Sequence, residues 1–155
     1  MPREIERNFL LRNDTWRASV ESTQRLVQGY LPGMQTASVR VRIAGDDARL
    51  NIKSATLDVS RLEYEYPVPL EEAEEMLECL CERPLIEKTR HYVRHAGHLW
   101  EVDVFAGDNA GLVVAEIELT AVDEAFERPS WVGDEVSDDP RYYNVCLVTR
   151  PFKDW

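Results

Sequence analysis

The stretch Arg3-Glu4-Ile5-Glu6-Arg7-Asn8-Phe9-Leu10-Leu11 sets the pattern that decides the fold. In an extended chain successive side chains point to opposite faces. Glu4, Glu6 and Asn8 therefore share one face, while Ile5, Arg7, Phe9 and Leu11 share the other. Two carboxylates stacked on one face repel unless a cation, a shared proton or open water relieves them. A single exposed strand often carries two glutamates, so this stretch acquires meaning only through its recurrence.

The pattern does recur. At least six strand candidates carry charged residues at i and i+2. The acidic pairs are Glu4/Glu6, Glu63/Glu65, Glu101/Asp103 and Glu116/Glu118. The basic pairs are Arg40/Arg42 and Lys88/Arg90, with Lys53 in addition. Period-two segments run from Gln24 to Leu31, Ala37 to Ala44, Ala48 to Ala55, Arg61 to Pro67, Leu85 to Val93, Trp100 to Phe105 and Leu112 to Leu119. Gly45-Asp46-Asp47 supplies a hairpin turn. Turns are also predicted at Arg94–His98 and Gly107–Gly111. Leu70, Ala73, Met76 or Leu77 and Leu80 have helical spacing, which predicts a helix from Leu70 to about Cys81. A short helix is expected at Val122–Glu127 and an acidic loop at Asp134–Asp139. Asp139-Pro140 reads as the start of a final helix reaching Thr149. That helix is expected on the barrel's apolar outside, with gating of one opening as the alternative.

The 155 residues suit one domain with a real core, at 44% apolar and 9% aromatic content. No segment is long and apolar enough to span a bilayer and no signal segment is evident, so a cytoplasmic protein without membrane association is expected. Three cysteines, unpaired in spacing, argue against a disulfide framework or structural zinc. The net charge of −11 opposes nucleic-acid binding, which depends on neutralising phosphates. His91, His95 and His98 straddle Gly97, and their spacing suits a helix better than a hairpin, so no metal role is assigned to them.

Ordinary solvent faces mix Ser, Thr, Gln and Lys. These faces hold carboxylate, guanidinium and ammonium, sorted by sign from strand to strand. A closed antiparallel barrel would turn them inward, making a charged lumen, and would push the apolar faces outward beneath helices. Such a lumen suits a compact polyanion held by Arg and Lys, with hard cations on the carboxylates.

Glu4-Ile-Glu-Arg-Asn-Phe-Leu resembles the E-x-E-x-K opening of the CYTH superfamily, the triphosphate tunnel metalloenzymes. The resemblance extends through Gln28-Gly-Tyr-Leu31, Val39-Arg-Val-Arg42, Leu50-Asn-Ile-Lys53, Glu63-Tyr-Glu65, Lys88-Thr-Arg90, Trp100-Glu-Val-Asp103 and Val114-Ala-Glu-Ile-Glu-Leu119. Pro140-Arg-Tyr-Tyr-Asn144 is similar to the small bacterial members. The resemblance implies a mainly β, α+β single domain: an eight-stranded antiparallel tunnel with helices packed outside, binding a triphosphate with Mg²⁺ or Mn²⁺. By carry-over, Glu4, Glu6, Glu116, Glu118 and Asp103 form the metal set. Arg40, Arg42, Lys53, Lys88, Arg90, Asn8 and Tyr30 form the substrate set, with packing as the alternative role for Tyr30. Lys88, Glu63 and Glu65 are the catalytic candidates. The implied activity is hydrolysis of a triphosphate, inorganic tripolyphosphate ahead of a nucleoside triphosphate. The alternatives are a class IV-type adenylate cyclase and a polyphosphate- or nucleotide-binding module without turnover. A homodimer is compatible with the uncovered outer faces of such a fold.

One departure is plain. The motif lysine is Asn8 here, which can donate to a phosphate oxygen but cannot neutralise it. The exchange forfeits roughly 1–2 kcal/mol.

Overall fold

The computed structural model describes residues 2–33, 35–55 and 58–155. Its strands are β1 (Arg3–Leu11), β2 (Val20–Tyr30), β3 (Ala37–Ala44), β4 (Asp47–Ser54), β5 (Ser60–Pro67), β6 (Ile86–His95), β7 (His98–Phe105), β8 (Val113–Glu118) and β9 (Val132–Glu135). The α-helices are α1 (Leu70–Cys79) and α2 (Asn144–Thr149). Strands run in the order β5-β4-β3-β2-β6-β7-β8-β1-β9, and β5 also pairs with β1. That extra pairing closes β1–β8 into an antiparallel barrel. The seam is short: Arg3 faces Leu62, Glu4 faces Arg61 and Ile5 faces Ser60. One edge of β1 is thus shared, with β5 on its first residues and β9 on Phe9 and Leu11.

Period-two alternation places the charged set inside and the apolar set outside, as predicted. Outward-facing Phe9, Trp100, Val102, Ala115 and Ile117 are fully buried beneath Trp131, Leu119 and Phe126. Trp100 meets Phe9 and Trp131 edge-on, with ring centroids 5.5 and 5.6 Å away. Burying side chains of this size dominates core energetics, at about 2–3 kcal/mol each. α1 lies outside on Val41 and Ala48 through Ala73 and Leu77, with Glu71 and Glu72 in its first turn favouring the positive end of the helix dipole. Gly29 is required where β2 passes the end of this layer: a Cβ there would lie 2.8 Å from Cys81 Cβ and Leu85 Cδ2.

Three expectations are corrected. Val122–Glu127 is a turn followed by irregular chain, because Glu124 accepts from Thr120 N–H and Oγ1 while Phe126 drops into the aromatic cluster. The Asp134–Asp139 loop begins as strand, since β9 supplies a partner to the free edge of β1 and Glu135 receives a paired contact from Arg7 at 2.9 and 2.6 Å. The final helix is broken: a 3₁₀ turn at Pro140–Tyr142 stops at extended Tyr143, and α2 starts anew at Asn144. Rather than lying along the outer wall, α2 packs Leu147 and Val148 against Tyr30, Ile86, Phe105 and Val114. Those four share the inward alternation of their strands, so α2 covers the barrel end where β2 and β7 finish.

Candidate active site

The inward faces line a cavity of about 170 Å³. Glu4, Glu6, Asn8, Tyr30, Arg40, Arg42, Lys53, Glu63, Glu65, Lys88, Arg90, Glu116 and Glu118 all line it. Asp103 is the one expected site residue outside that lining; it is fully buried behind it. A second, smaller cavity continues the lumen beyond a belt of Arg42, Glu65 and Arg90, whose side chains border both spaces.

Register explains how the charges meet. Arg90 lies across from Asp103, Glu101 from Glu116, Glu116 from Asn8, and Glu118 from Glu6. Two of these contacts set carboxylate against carboxylate, which is destabilising without a counter-charge. Arg90 answers the first: it binds both Asp103 oxygens at 2.8 Å, reaches Glu116 at 3.0 Å and also contacts Glu101. Lys88 completes the group at 2.7 Å from Asp103. Burial alone would raise the Asp103 carboxyl, yet Arg90 and Lys88 hold it well below the usual carboxylate range. Burial raises Glu101 to about 7 despite Arg90. It also raises Glu116, with Glu6 adding to the effect. Asp103 is held by two cations and anchors Lys88 and Arg90 behind the cavity wall.

On the opposite wall, Lys53 bridges Glu4 at 2.9 Å and Glu63 at 3.3 Å. Arg61 reaches Glu4 at 3.4 Å and Glu6 at 3.8 Å. Glu118 is raised by burial and by the neighbouring Glu4, Glu6 and Glu63. Glu65 is exposed, and its carboxylate accepts from Asn51 and Arg49.

Arg40 and Arg42 differ from all of these. Among the described residues neither meets a carboxylate at ion-pairing distance, and buried Arg40 has an Nε with no hydrogen-bond partner. Arg42 donates from Nε to Gln28 Oε1 at 2.8 Å. Burial, then repulsion from Arg40 and Arg90, lowers Arg42 to about 10. Lys88 falls from the ordinary 10.5 to about 8, because burial outweighs the attraction of Asp103.

The hard oxygen donors on β1 and β8 suit Mg²⁺ or Mn²⁺. Yet among the described residues no three Asp, Glu, His or Cys side chains converge into a closed metal cage. A site of that kind fits an ion that takes a few carboxylates and fills its remaining positions from substrate phosphates. Two of the three histidines are engaged elsewhere: His91 meets Val102 O at 3.2 Å, and His98 meets Glu124 at 2.7 Å.

Four contributors went unassigned in the sequence. Arg61 shares the inward alternation of Glu63 and Glu65, so the strand pattern already pointed to it. Glu101 was noted only as half of an acidic pair. Gln28 and Asn144 lacked any charge signal. Asn144 Oδ1 receives Gln28 Nε2 and Lys88 Nζ, each at 3.0 Å.

Comparisons agree with this geometry. The model of the CYTH domain family matches residues 2–143. An inorganic triphosphatase from Acetivibrio thermocellus is 44% identical over 155 residues, covering 100% of this chain and 99% of its own length. One from Nitrosomonas europaea is 36% identical over 149 residues, covering 94% and 96%. A crystal structure of an inorganic triphosphatase superposes with a TM-score of 0.67 at 35% identity, covering 94% of this chain and 93% of that one.

Proposed function

This chain belongs to the CYTH domain family, and on that premise we propose that it hydrolyses inorganic tripolyphosphate in the barrel lumen with Mg²⁺ or Mn²⁺. The observation that carries the reading is the Arg40/Arg42 pair. Buried Arg40 and half-buried Arg42, without carboxylate partners among the described residues of a chain of net charge −11, leave positive charge in the lumen uncompensated. A polyphosphate supplies the opposing charge, and guanidinium forks match its oxygens in pairs. The names of the relatives favour the inorganic triphosphate over a nucleotide.

Glu4, Glu6, Glu116 and Glu118 would hold the metal, which when bound draws electron density from the terminal phosphate and its leaving oxygen. Arg40, Arg42 and Lys53 clamp the chain. Lys88 and Arg90, held at their carboxylates, face the charge that spreads over the equatorial oxygens. A water oxygen bonds to the terminal phosphorus as the phosphoanhydride P–O bond breaks, giving orthophosphate and pyrophosphate. Glu63, on the cavity wall beside Lys53, is better placed to orient that water than Glu65, which Asn51 and Arg49 occupy at the rim. Asn8 donates a neutral contact where the family motif has lysine.

The test is phosphate release from tripolyphosphate and from ATP, with Mg²⁺, with Mn²⁺ and with chelator, for the natural protein and for Glu4→Gln. Metal-dependent release that Glu4→Gln abolishes is the expected result. Tight binding without release would replace the hydrolase by a binding module, and cyclic AMP from ATP would replace it by a cyclase. Glu4→Gln turning over at the natural rate would remove Glu4 from the metal set.

A further inference from the structure

Asn144 has no strand to hold it and no charge to advertise it, yet it lines the lumen and meets side chains from two neighbouring strands. Its Oδ1 accepts from Lys88 Nζ on β6 and from Gln28 Nε2 on β2, both at 3.0 Å. An ammonium can only donate, so the Asn144 atom facing Lys88 is its oxygen. Gln28 is fixed in the same way. Arg42 Nε also only donates, which turns Gln28 Oε1 toward Arg42 and leaves Nε2 for Asn144. The contacts form one chain: Arg42, Gln28, Asn144, Lys88, Asp103, Arg90.

Asn144 is brought there by the break in the C-terminal segment. Tyr143 is extended, and its hydroxyl donates to Ser137 O at 2.7 Å. α2 then begins at Asn144 and buries Leu147 over the barrel end. We infer that Asn144 is a positioning residue: by accepting from Gln28 and Lys88 together, it sets the Arg42 and Lys88 cations in register for a polyphosphate chain. This rests on the tripolyphosphate reading for what the lumen binds. A buried ammonium and a half-buried guanidinium that repel each other would otherwise drift apart, and each ångström lost weakens every phosphate contact they make.

The experiment compares Asn144→Ala with Val148→Ala, which loosens α2 without touching the chain of contacts. A double-mutant cycle adds Gln28→Ala. The probe is tripolyphosphate, with kcat and KM from phosphate release, Kd from calorimetry and Tm from thermal unfolding. Asn144→Ala is expected to raise KM and Kd about tenfold, one displaced charge-assisted contact's worth. Val148→Ala is expected to lower Tm at unchanged KM and Kd, since loss of folded fraction lowers only the apparent kcat. Gln28→Ala added to Asn144→Ala should weaken Kd less than the product of the single effects, as residues acting through one contact do. The inference is overturned if Asn144→Ala changes KM and Kd no more than Val148→Ala, or if the two single effects multiply. Absence of turnover in the natural protein would sink the hydrolase reading alone, because the cycle read in Kd still decides the role of Asn144.

Discussion

β3 and β6 each present two cations two residues apart on the lumenal face, and their electrical surroundings are opposite. On β6, Arg90 touches Asp103, Glu101 and Glu116, and Lys88 touches Asp103. On β3, Arg40 and Arg42 touch no carboxylate among the described residues, and Arg42 leans only on the neutral Gln28. In the sequence the two pairs look alike. The fold makes one of them a neutralised strut and leaves the other as an open receptor. The difference teaches that a cation's role in such a lumen is set by which strand lies beside it. β6 borders β7, which carries Asp103, whereas β3 lies between β2 and β4, whose inward faces bring Gln28 and Asn51.

The largest expected effect separates the two strands in stability. Arg90→Met leaves buried Asp103 to Lys88 alone and takes the cation from half-buried Glu101 and Glu116, and should cost about 3–5 kcal/mol in urea unfolding. Arg42→Gln removes a cation that burial disfavours, so it should leave stability unchanged or raise it. Equal losses would erase the comparison. In activity the order reverses for β3: Arg40→Gln and Arg42→Gln should each lower kcat/KM for tripolyphosphate by about 10- to 100-fold, the value of a charge-assisted contact. Retention of full kcat/KM in both would show that the open receptor is not the substrate clamp.

Lys88 sharpens the contrast through pH. Its folded pKa of about 8 lies below the ordinary 10.5, so the unfolded chain binds more protons between those values. Stability from this group therefore rises as pH climbs through that window. Its charge disappears over the same range; by pH 9 about a tenth of the protein keeps it. An alkaline fall in kcat/KM beginning near pH 8 is expected, and Lys88→Arg should remove that limb; an unchanged limb in Lys88→Arg assigns it to another group. The smallest effect concerns Asn8, whose buried Oδ1 has no partner and which faces Glu116 across the ladder. Asn8→Lys should tighten tripolyphosphate binding severalfold, at most about tenfold, and a weaker Kd would mean that this lysine pairs with Glu116 instead.

The strands that carry the site were legible because charge and apolarity alternate along them residue by residue. β1, the β3–β4 hairpin, β5, β6, β7 and β8 all announced themselves this way, and so did nearly every cavity-lining charge. β9 was hidden because four residues holding a glycine and two carboxylates look like loop until the free edge of β1 offers them hydrogen bonds. The last helix was overextended because nothing local marks Tyr143 as extended; its hydroxyl contact with Ser137 is tertiary. The anchoring role of Asp103 was hidden, since a carboxylate's partner cannot be read along its own strand. Its commitment to Arg90 and Lys88 comes from the neighbouring ladder.

The seam between β1 and β5 has one more consequence. Among the described residues every other barrel joint is a ladder of five register pairs or more, whereas this one has three. The ring therefore behaves as a clasped bracelet: the clasp is its thinnest link, and the paired Glu4 and Arg61 lie within it. Backbone amides at the clasp should exchange with solvent sooner than those between β2 and β6, and a ligand gripping Glu4 from inside would hold the bracelet shut.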